Sequence, residues 1–563
     1  MNLTSNFSQK RTHKRTRKLT GRRPAPVPAA SLLILSLITA VLASGCSTQP
    51  GSAADSSERR GGELVYLDAE LSSNTQLQSS GTWQDSAYIQ NITDRLIYRD
   101  PKTLELKPWI AEEWTVSPDG LTYTFLIREG ASFSNGQVLD AAAVQRNLEW
   151  QANGDSAKGI PANNWFPKVA AVTADDASRT VTVQLTAPHA PFLNVLSFWR
   201  TSLVADETIN ASIEAQSQLT GIIGSGPFTV ESEKYGEEIV LTRREGYAWA
   251  PPGLENQGES YLDRITIIPV TEDSVRLGSL RAGEADLIRY IQPSEEQTLT
   301  AAGLEVISVR GVGNANVWDL RQSAPFLDDV RVRQALQHGI NRDQIISDLY
   351  TENWNAATSI LTPGSLGYKD ESEKLAFDPE RSGQLLDDAG WTGRDADGFR
   401  TRDGEQLHIL TYVDVYDSTS KPLFQLIQWQ LKQLGVNLEI KETDYANYST
   451  VLADPTVGAR RNGWPEADPI RLTVNYSSDY LNSFKLQQPD PVLDALLAEQ
   501  LTASDTTARS EILGRIQDHI IDAAYALPIL DDSQVFALQP TLHGLTFGAE
   551  ARPSFYETWT EAK

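Results

Sequence analysis

Seventy-four acidic side chains and six histidines are the most numerous candidates in this chain for moving protons near neutral pH or holding a metal, and their spacing announces neither task. His13, His189, His338, His408, His519 and His543 stand far apart, with no short metal-ligand interval between them. The patterns Gly-x-Ser-x-Gly, His-Glu-x-x-His and the Walker A loop are absent. A glycosidase needs only two carboxylates, so the acids by themselves leave hydrolysis open. Asp395-Ala-Asp397-Gly398 has the start of a calcium loop but lacks its third ligand position and closing Glu, and reads as a solvated turn. Gly224-Ser225-Gly226-Pro227 has the glycines of a phosphate loop without a Lys or a following helix, and Phe228 to Val230 reads as a strand. Cys46 is the sole cysteine, which excludes an intrachain disulfide and a thiolate cluster. The expectation is no metal site, no cofactor and no catalytic residue.

The chemistry that the residues do announce is at the N-terminus. A basic segment precedes the 15-residue apolar run Ala29 to Ala43, interrupted by Ser31, Ser36 and Thr39. That length suits a signal peptide better than a membrane span. Ala43-Ser44-Gly45-Cys46 resembles the bacterial lipobox: small residues give a peptidase access and leave Cys46 as a lipid-bearing N-terminus. The first lipobox position is Ala here, where Leu is usual. Arg22-Arg23 is followed by Pro24, which leaves the export route open between Sec and twin-arginine. The Ser-, Gly- and Ala-rich stretch up to Gly62 reads as a tether with a reach of roughly 20 to 25 Å. These features predict an extracytoplasmic protein, lipid-anchored to the cell membrane.

Eight of the 49 basic residues and none of the acidic ones lie in residues 1–45, which leaves the rest of the chain at a net charge of −33. So acidic a body repels phosphate, and nucleic acid is excluded as a partner. Beyond the signal segment no apolar stretch is long enough to span a membrane. With 563 residues, several lobes are expected.

Strands and helices alternate, as an α/β class requires. Leu121, Tyr123, Phe125 and Ile127 alternate with polar residues, and Thr180 to Leu185 repeats the period. Asp140 is placed to cap a helix carrying Val144 and Leu148. Asp378-Pro379 and Gly390 bracket a short helix, and Asn341 to Gln344 has the spacing of a capping box. The strand Leu407 to Thr411, the helical face Leu423, Ile427, Leu431 and Leu434 ending at Gly435, and the strand Val436 to Ile440 form a βαβ unit.

Five ordered segments carry a resemblance. Leu106-Lys-Pro-Trp-Ile-Ala-Glu-Glu-Trp114 with Ser117-Pro-Asp-Gly-Leu-Thr-Tyr-Thr-Phe125 and Arg128 to Gly136, Gly224-Ser-Gly-Pro-Phe228 with Arg244 to Trp249, Leu280 to Asp286, Pro325 to Leu336, and Leu385-Leu-Asp-Asp-Ala-Gly-Trp391 are similar to segments of the family 5 solute-binding proteins of ABC transporters. The similarity runs from about Gly62 to the C-terminus. It departs at Trp318-Asp-Leu320-Arg321, where the family commonly ends a strand in Phe-Asn.

The resemblance implies a two-lobed periplasmic-binding-protein-like fold (class II, cluster C type) with an extra subdomain in the N-terminal lobe and a hinged ligand cleft. On that plan, residues 1–45 are the signal peptide, 46–61 the tether, 62–98 lobe I, 99–220 its additional subdomain, 221–315 lobe I continued, 316–524 lobe II and 525–563 the return to lobe I. It implies a monomer that captures a small solute, peptide or peptide-like, and delivers it to ABC permease and ATPase subunits. Peptide-binding relatives place an acid after a Trp to pair with the peptide amine, and the matching stretch is Trp464-Pro-Glu466-Ala-Asp468. We therefore expect Trp464 to stack on the solute, Glu466 or Asp468 to pair with a cationic group, and Arg200 beside Trp199 or Arg289 beside Tyr290 to pair with an anionic one. A secreted, lipid-anchored hydrolase would instead convert its substrate, and a sensory or structural lipoprotein would show no ligand-driven closure.

Overall fold

The computed structural model describes residues 59–563 except 72–73, 80–81, 415–418, 464, 479–488 and 562–563. From the N-terminal side run β1 (Glu63–Asp68), helix α1 (Trp83–Ile92), β2 (Ala111–Val116), β3 (Thr122–Ile127), α2 (Ala141–Asn153), β4 (Val169–Asp175) and β5 (Thr180–Leu185). Next come the hairpin β6 (Phe228–Lys234) and β7 (Glu238–Arg243), then β8 (Arg264–Pro269), β9 (Leu287–Arg289) and β10 (Glu305–Arg310). A second region holds β11 (Asn316–Leu320), α3 (Val330–Gly339), α4 (Pro379–Asp388), β12 (His408–Asp414), α5 (Ser420–Leu434) and β13 (Asn437–Thr443). It continues with β14 (Val457–Asn462), α6 (Ile470–Tyr476), α7 (Thr506–Asp522) and β15 (Ala526–Leu530), after which β16 (Ser533–Leu538) returns to the first region.

Three larger sheets result. The seven-stranded one has the order β10-β16-β9-β1-β8-β7-β6, the five-stranded one β13-β12-β14-β11-β15, and the four-stranded one β2-β3-β5-β4. In the first, β1 lies parallel to β8 and β9, while β16 runs antiparallel to β9 and β10. The period of two assigns its faces. Leu64 and Tyr66 of β1 enter a core shared with Phe125, Val181 and Ile265, whereas Leu67 joins a second core with Ile288, Trp318, Leu336 and Leu438.

The local signals act where they were read. Asp140 caps α2 through Ala143 N, and Asp378 caps α4 with Pro379 at its first position. The βαβ unit forms with β12 and β13 parallel, His408 opposite Asn437, and Gly435 left-handed at the end of α5. Asp395 accepts from Asp397 N and Phe399 N, which makes its segment a turn. Gly224 and Gly226 are small for packing: a Cβ at either would meet the backbone of Ile92 within 2.1 to 2.4 Å. One expectation changes. Asn341 caps its helix through Gln344 N, but the reciprocal bond of a capping box is replaced, because Asn341 N donates to Gln430 of α5. Tertiary packing has taken over half of the local motif.

Among the described residues the chain passes between the two larger sheets twice, through 311–315 and 531–532. Both crossings are tightly constrained. Gly313 has φ +123°, and a Cβ there would lie 2.2 Å from Glu466 N. In the second crossing Asp531 is buried and its N–H donates to Asn355 O. Turned to satisfy both its neighbours, the Asn355 amide also accepts from Arg310 at the end of β10.

Two outcomes follow from these crossings. Gly313→Ala should lower the urea midpoint by an amount equivalent to more than about 1 kcal/mol, whereas Gly398→Ala, with φ +87° but nothing within 4 Å of its Cβ, should lose less. Burial pushes the Asp531 carboxyl up to about 6, with the Arg310 field opposing it. The folded state thus holds this proton more tightly than the unfolded one, whose value is about 3.9. The resulting stability is complete below the unfolded value and disappears as pH rises through about 6. Melting midpoints measured from pH 4 to 6.5 should therefore decline less steeply in Asp531→Asn than in the parent.

Candidate functional site

The C-terminal end of β1 carries Asp68 and that of β9 carries Arg289, neighbours in the sheet. Arg289 donates through Nη2 and Nε to Asp68 Oδ1 at 3.0 and 3.2 Å, and both side chains are at most 1% exposed. Asp68 also accepts from Tyr66 OH (2.6 Å) and Ala69 N (2.7 Å), and Arg289 Nη1 donates to Gln534 Oε1 at 3.1 Å. Burial works against the guanidinium charge, but the Asp68 field overcomes it and holds the Arg289 pKa above its ordinary value. The guanidinium is further enclosed by rings, 3.5 Å from the Trp83 centroid and 3.8 Å from that of Tyr290. Tyr290 reaches that position with φ +59°, a left-handed conformation that is strained for a residue with a Cβ.

Trp83 begins α1 and links this pair to a second cluster. Arg552, from the C-terminal segment, lies 5.0 Å from the Trp83 ring and donates through Nε to Ser86 Oγ at 2.6 Å. Burial lowers its pKa to about 9. Arg552 in turn feels Glu466, which lies between β14 and α6. Glu466 is buried, its Oε2 has no hydrogen-bond partner, and burial followed by the neighbouring Glu550 pushes its carboxyl well up, against the fields of Arg471 and Arg200. Arg200 and Arg471 approach the ring of Trp165 from the two regions of the fold, at 5.8 and 5.5 Å, and burial lowers each to about 10.

The expected site residues are thus divided. Glu466 and Arg200 stand in one cluster. Trp199 packs under the Arg200 guanidinium, 5.0 Å away. Arg289 and Tyr290 stand in the adjacent cluster, where the Arg289 charge is committed to Asp68. Asp468 is committed too: Arg509 of α7 binds it with two bonds of 2.8 and 2.6 Å, Ile470 N donates to it at 2.9 Å, and Asn194 donates to it from the other region. Although burial opposes ionisation, the Arg509 charge keeps the Asp468 carboxyl below its ordinary range. Trp464 and Cys46 lie outside the described residues. Trp83, Arg471, Arg509 and Arg552 were not anticipated. Their partners are distant in sequence, and only Arg471, three residues after Asp468 on α6, had a neighbour that could have drawn notice.

Between Tyr290, Gln534, Thr419 and Arg461 the two regions enclose about 40 Å³. Small-molecule pockets measure roughly 300 to 1,000 Å³, so this space is too small for one. A larger cavity, about 690 Å³, is bordered by Arg95, Tyr98, Trp109, Val312 and Tyr556, and no residue from 316–530 lines it. Trp199 and Glu550 border this cavity too, and an occupant there would touch the first region only, whereas the two clusters draw on both.

Replacing Arg289 by Met strands the Asp68 carboxylate and should cost roughly 3 to 5 kcal/mol. The double variant Asp68→Asn/Arg289→Met should lose less than Arg289→Met alone. Denaturant midpoints of the four proteins check this, and equal losses would mean that the charge pairing contributes nothing.

The family profile described as bacterial extracellular solute-binding proteins, family 5 Middle, matches residues 105–480. The glutathione-binding protein GsiB of Salmonella typhimurium is 27% identical over 460 residues, covering 79% of this chain and 84% of the relative. Among solved structures, NikA from Brucella suis in complex with Fe(III)-EDTA superposes with a TM-score of 0.76 at 24% identity, covering 89% of this chain and all of that one. DppA from Helicobacter pylori in complex with the peptide STSA gives 0.75 at 22% identity, with 90% and 99% covered.

Proposed function

The chain belongs to the bacterial extracellular solute-binding proteins of family 5, and from that membership we propose that its cleft closes on a small peptide-like solute whose amine is received by Glu466. The protein is the extracytoplasmic substrate-binding component of an ABC importer, and its relatives are binding proteins. The observation that carries the solute reading is Glu466 itself: a buried carboxyl with an unpartnered oxygen, held where the two regions meet. A buried acid of this kind gains most from a cationic partner that arrives with the ligand. The names of GsiB, a glutathione-binding protein, and of DppA with its bound peptide support a peptide-like solute.

In this reading residues 62–98, 221–315 and 525–563 act as lobe I with 99–220 as its subdomain, and 316–524 act as lobe II. The crossings 311–315 and 531–532 serve as the hinge. A solute favours the closed form only through the contacts it makes there and not in the open one, and the permease docks on the closed form. Asn194 on Asp468 and Ala190 N on Leu501 O, 2.6 Å, are contacts of closure that need no solute. Residues 1–45 direct export, Cys46 carries lipid, and residues 46–61 tether a monomeric body to the membrane. No helix among the described residues is long and apolar enough to cross one.

Isothermal titration with tri-alanine tests the reading. Glu466→Gln should weaken binding by more than about tenfold, the size expected for a lost charge-assisted hydrogen bond, with an unchanged melting midpoint, and mass spectrometry should recover the peptide intact. Cleaved peptide would point to a hydrolase, and unchanged affinity would remove Glu466 from the site.

A further inference from the structure

The larger cavity, of about 690 Å³, has the volume of a small-molecule pocket, roughly 300 to 1,000 Å³. Arg95, from the segment that follows α1, brings to its wall a guanidinium that makes no hydrogen bond and no ion pair among the described residues, and Nη1 is enclosed without a partner. No other residue bordering the cavity has a buried side-chain nitrogen or oxygen without a partner. The guanidinium lies 4.6 Å from the centroid of the Trp109 ring, and Trp109 meets Tyr98 edge-on at 5.8 Å. Leu254, Phe547 and Tyr556 extend this aromatic wall with further apolar surface.

Apart from Lys102 and Glu550, the other charges on the wall are engaged. Asp94 accepts from Trp249 Nε1 at 2.8 Å and from Tyr247 OH at 3.3 Å, Asp100 pairs with Lys107, and Glu255 pairs with Arg59. Arg99 donates to Asn194 Oδ1 at 3.0 Å, Glu557 accepts from Asn256 N at 2.9 Å, and the Asn355 amide accepts from Arg310. Lys102 is exposed, and Glu550 is half-buried. Asp94 and Glu550 act on Arg95 through their fields without reaching ion-pair distance. A guanidinium nitrogen enclosed without an acceptor is costly, and the cavity is where an acceptor for Arg95 has room. A carboxylate suits it best, because two oxygens match the guanidinium fork. The rings beside that fork favour a flat apolar body behind the carboxylate.

We infer that this cavity is a second binding site, separate from the one around Glu466, and that it takes a small aromatic carboxylate: the carboxylate on Arg95, the ring against Trp109 and Tyr98. Glu466, Arg200, Arg471 and Arg552 do not border it. The two sites are neighbours all the same, since Trp199 borders the cavity and also packs under Arg200. The inference is independent of which solute the cleft takes. A neutral aromatic leaves Arg95 without an acceptor of matching charge, and a carboxylate with no ring leaves the aromatic wall uncovered.

The test is isothermal titration of the full chain with phenylpropionate, its neutral isostere phenylpropanamide, and propionate. The same titrations are made on Arg95→Gln, on Lys102→Gln and on Leu254→Trp, whose indole fills the cavity without changing its charge. Melting midpoints establish that the variants are folded, and Leu254→Trp carries the test if Arg95→Gln does not fold. The parent should bind phenylpropionate at least about tenfold more tightly than the amide or propionate, and Arg95→Gln and Leu254→Trp should each weaken that binding by at least about tenfold. Lys102→Gln, at an exposed position, should change it by about twofold or less, and saturating tri-alanine should leave it unchanged. Equal affinity for the amide or for propionate, undiminished binding in Arg95→Gln or Leu254→Trp, or displacement by tri-alanine would overturn the inference. So would failure of phenylpropionate to bind the parent at millimolar concentration. None of these outcomes bears on the role of Glu466, which the tri-alanine titration tests by itself.

Discussion

Asp68 ends the central parallel strand β1 with a carboxylate that no water reaches, and a buried charge survives only beside an opposite one with its remaining hydrogen bonds made. Arg289 answers it from the neighbouring strand β9, and the demand then spreads outward. Tyr66 and the Ala69 N–H complete the carboxylate, Gln534 of β16 completes the guanidinium, and Trp83 and Tyr290 exclude water from its faces. One ion pair thereby fixes the start of α1, the ends of three strands and the strained backbone of Tyr290. Of these residues, Tyr290 and Gln534 border the narrow space between the two regions. The geometry of the site is set by what this pair requires, which is why strain at Tyr290 persists where the surroundings over-determine it.

The opposite wall obeys a different rule. Its charges are arranged around an acid that is not satisfied. Asp468 is neutralised within its own region by Arg509 and holds the turn into α6 rigid, so that Glu466, two residues earlier, projects toward the junction with one oxygen free. On the proposed reading, a mismatched solute would leave this buried group without a partner. The body as a whole is acidic, and the guanidiniums of Arg200, Arg471 and Arg552 near Glu466 stand out against it.

Glu466 is also coupled to the crossing segments. The backbone of Gly313 lies against Glu466 N so closely that a Cβ has no room, and Gly311 meets Pro465 in the same way. The residue expected to receive the solute and the segment about which the lobes would turn are therefore one packed unit. A displacement at one is felt at the other without any longer route, since close-packed interiors transmit strain.

The sequence by itself determined the α/β class, the helix caps at Asp140 and Asp378, the βαβ unit around Gly435 and the turn at Asp395, because each depends on residues within a few positions of one another. Its ordered segments were enough to indicate the family. It also placed charges beside aromatics at Trp199-Arg200, Arg289-Tyr290 and in the stretch holding Glu466 and Asp468. Which of those charges are spent and which are available was decided only by the tertiary structure. Asp68 and Arg289 are 221 residues apart, Ser86 and Arg552 are 466 apart, and Asp468 finds Arg509 41 residues later. Local periodicity carries no information about such pairings. The capping box at Asn341 shows the same limit in miniature, for its second bond was taken by Gln430, 89 residues away. A carboxylate with a buried partner and one without are identical in sequence, and they differ only once the chain has folded and brought the partners into reach.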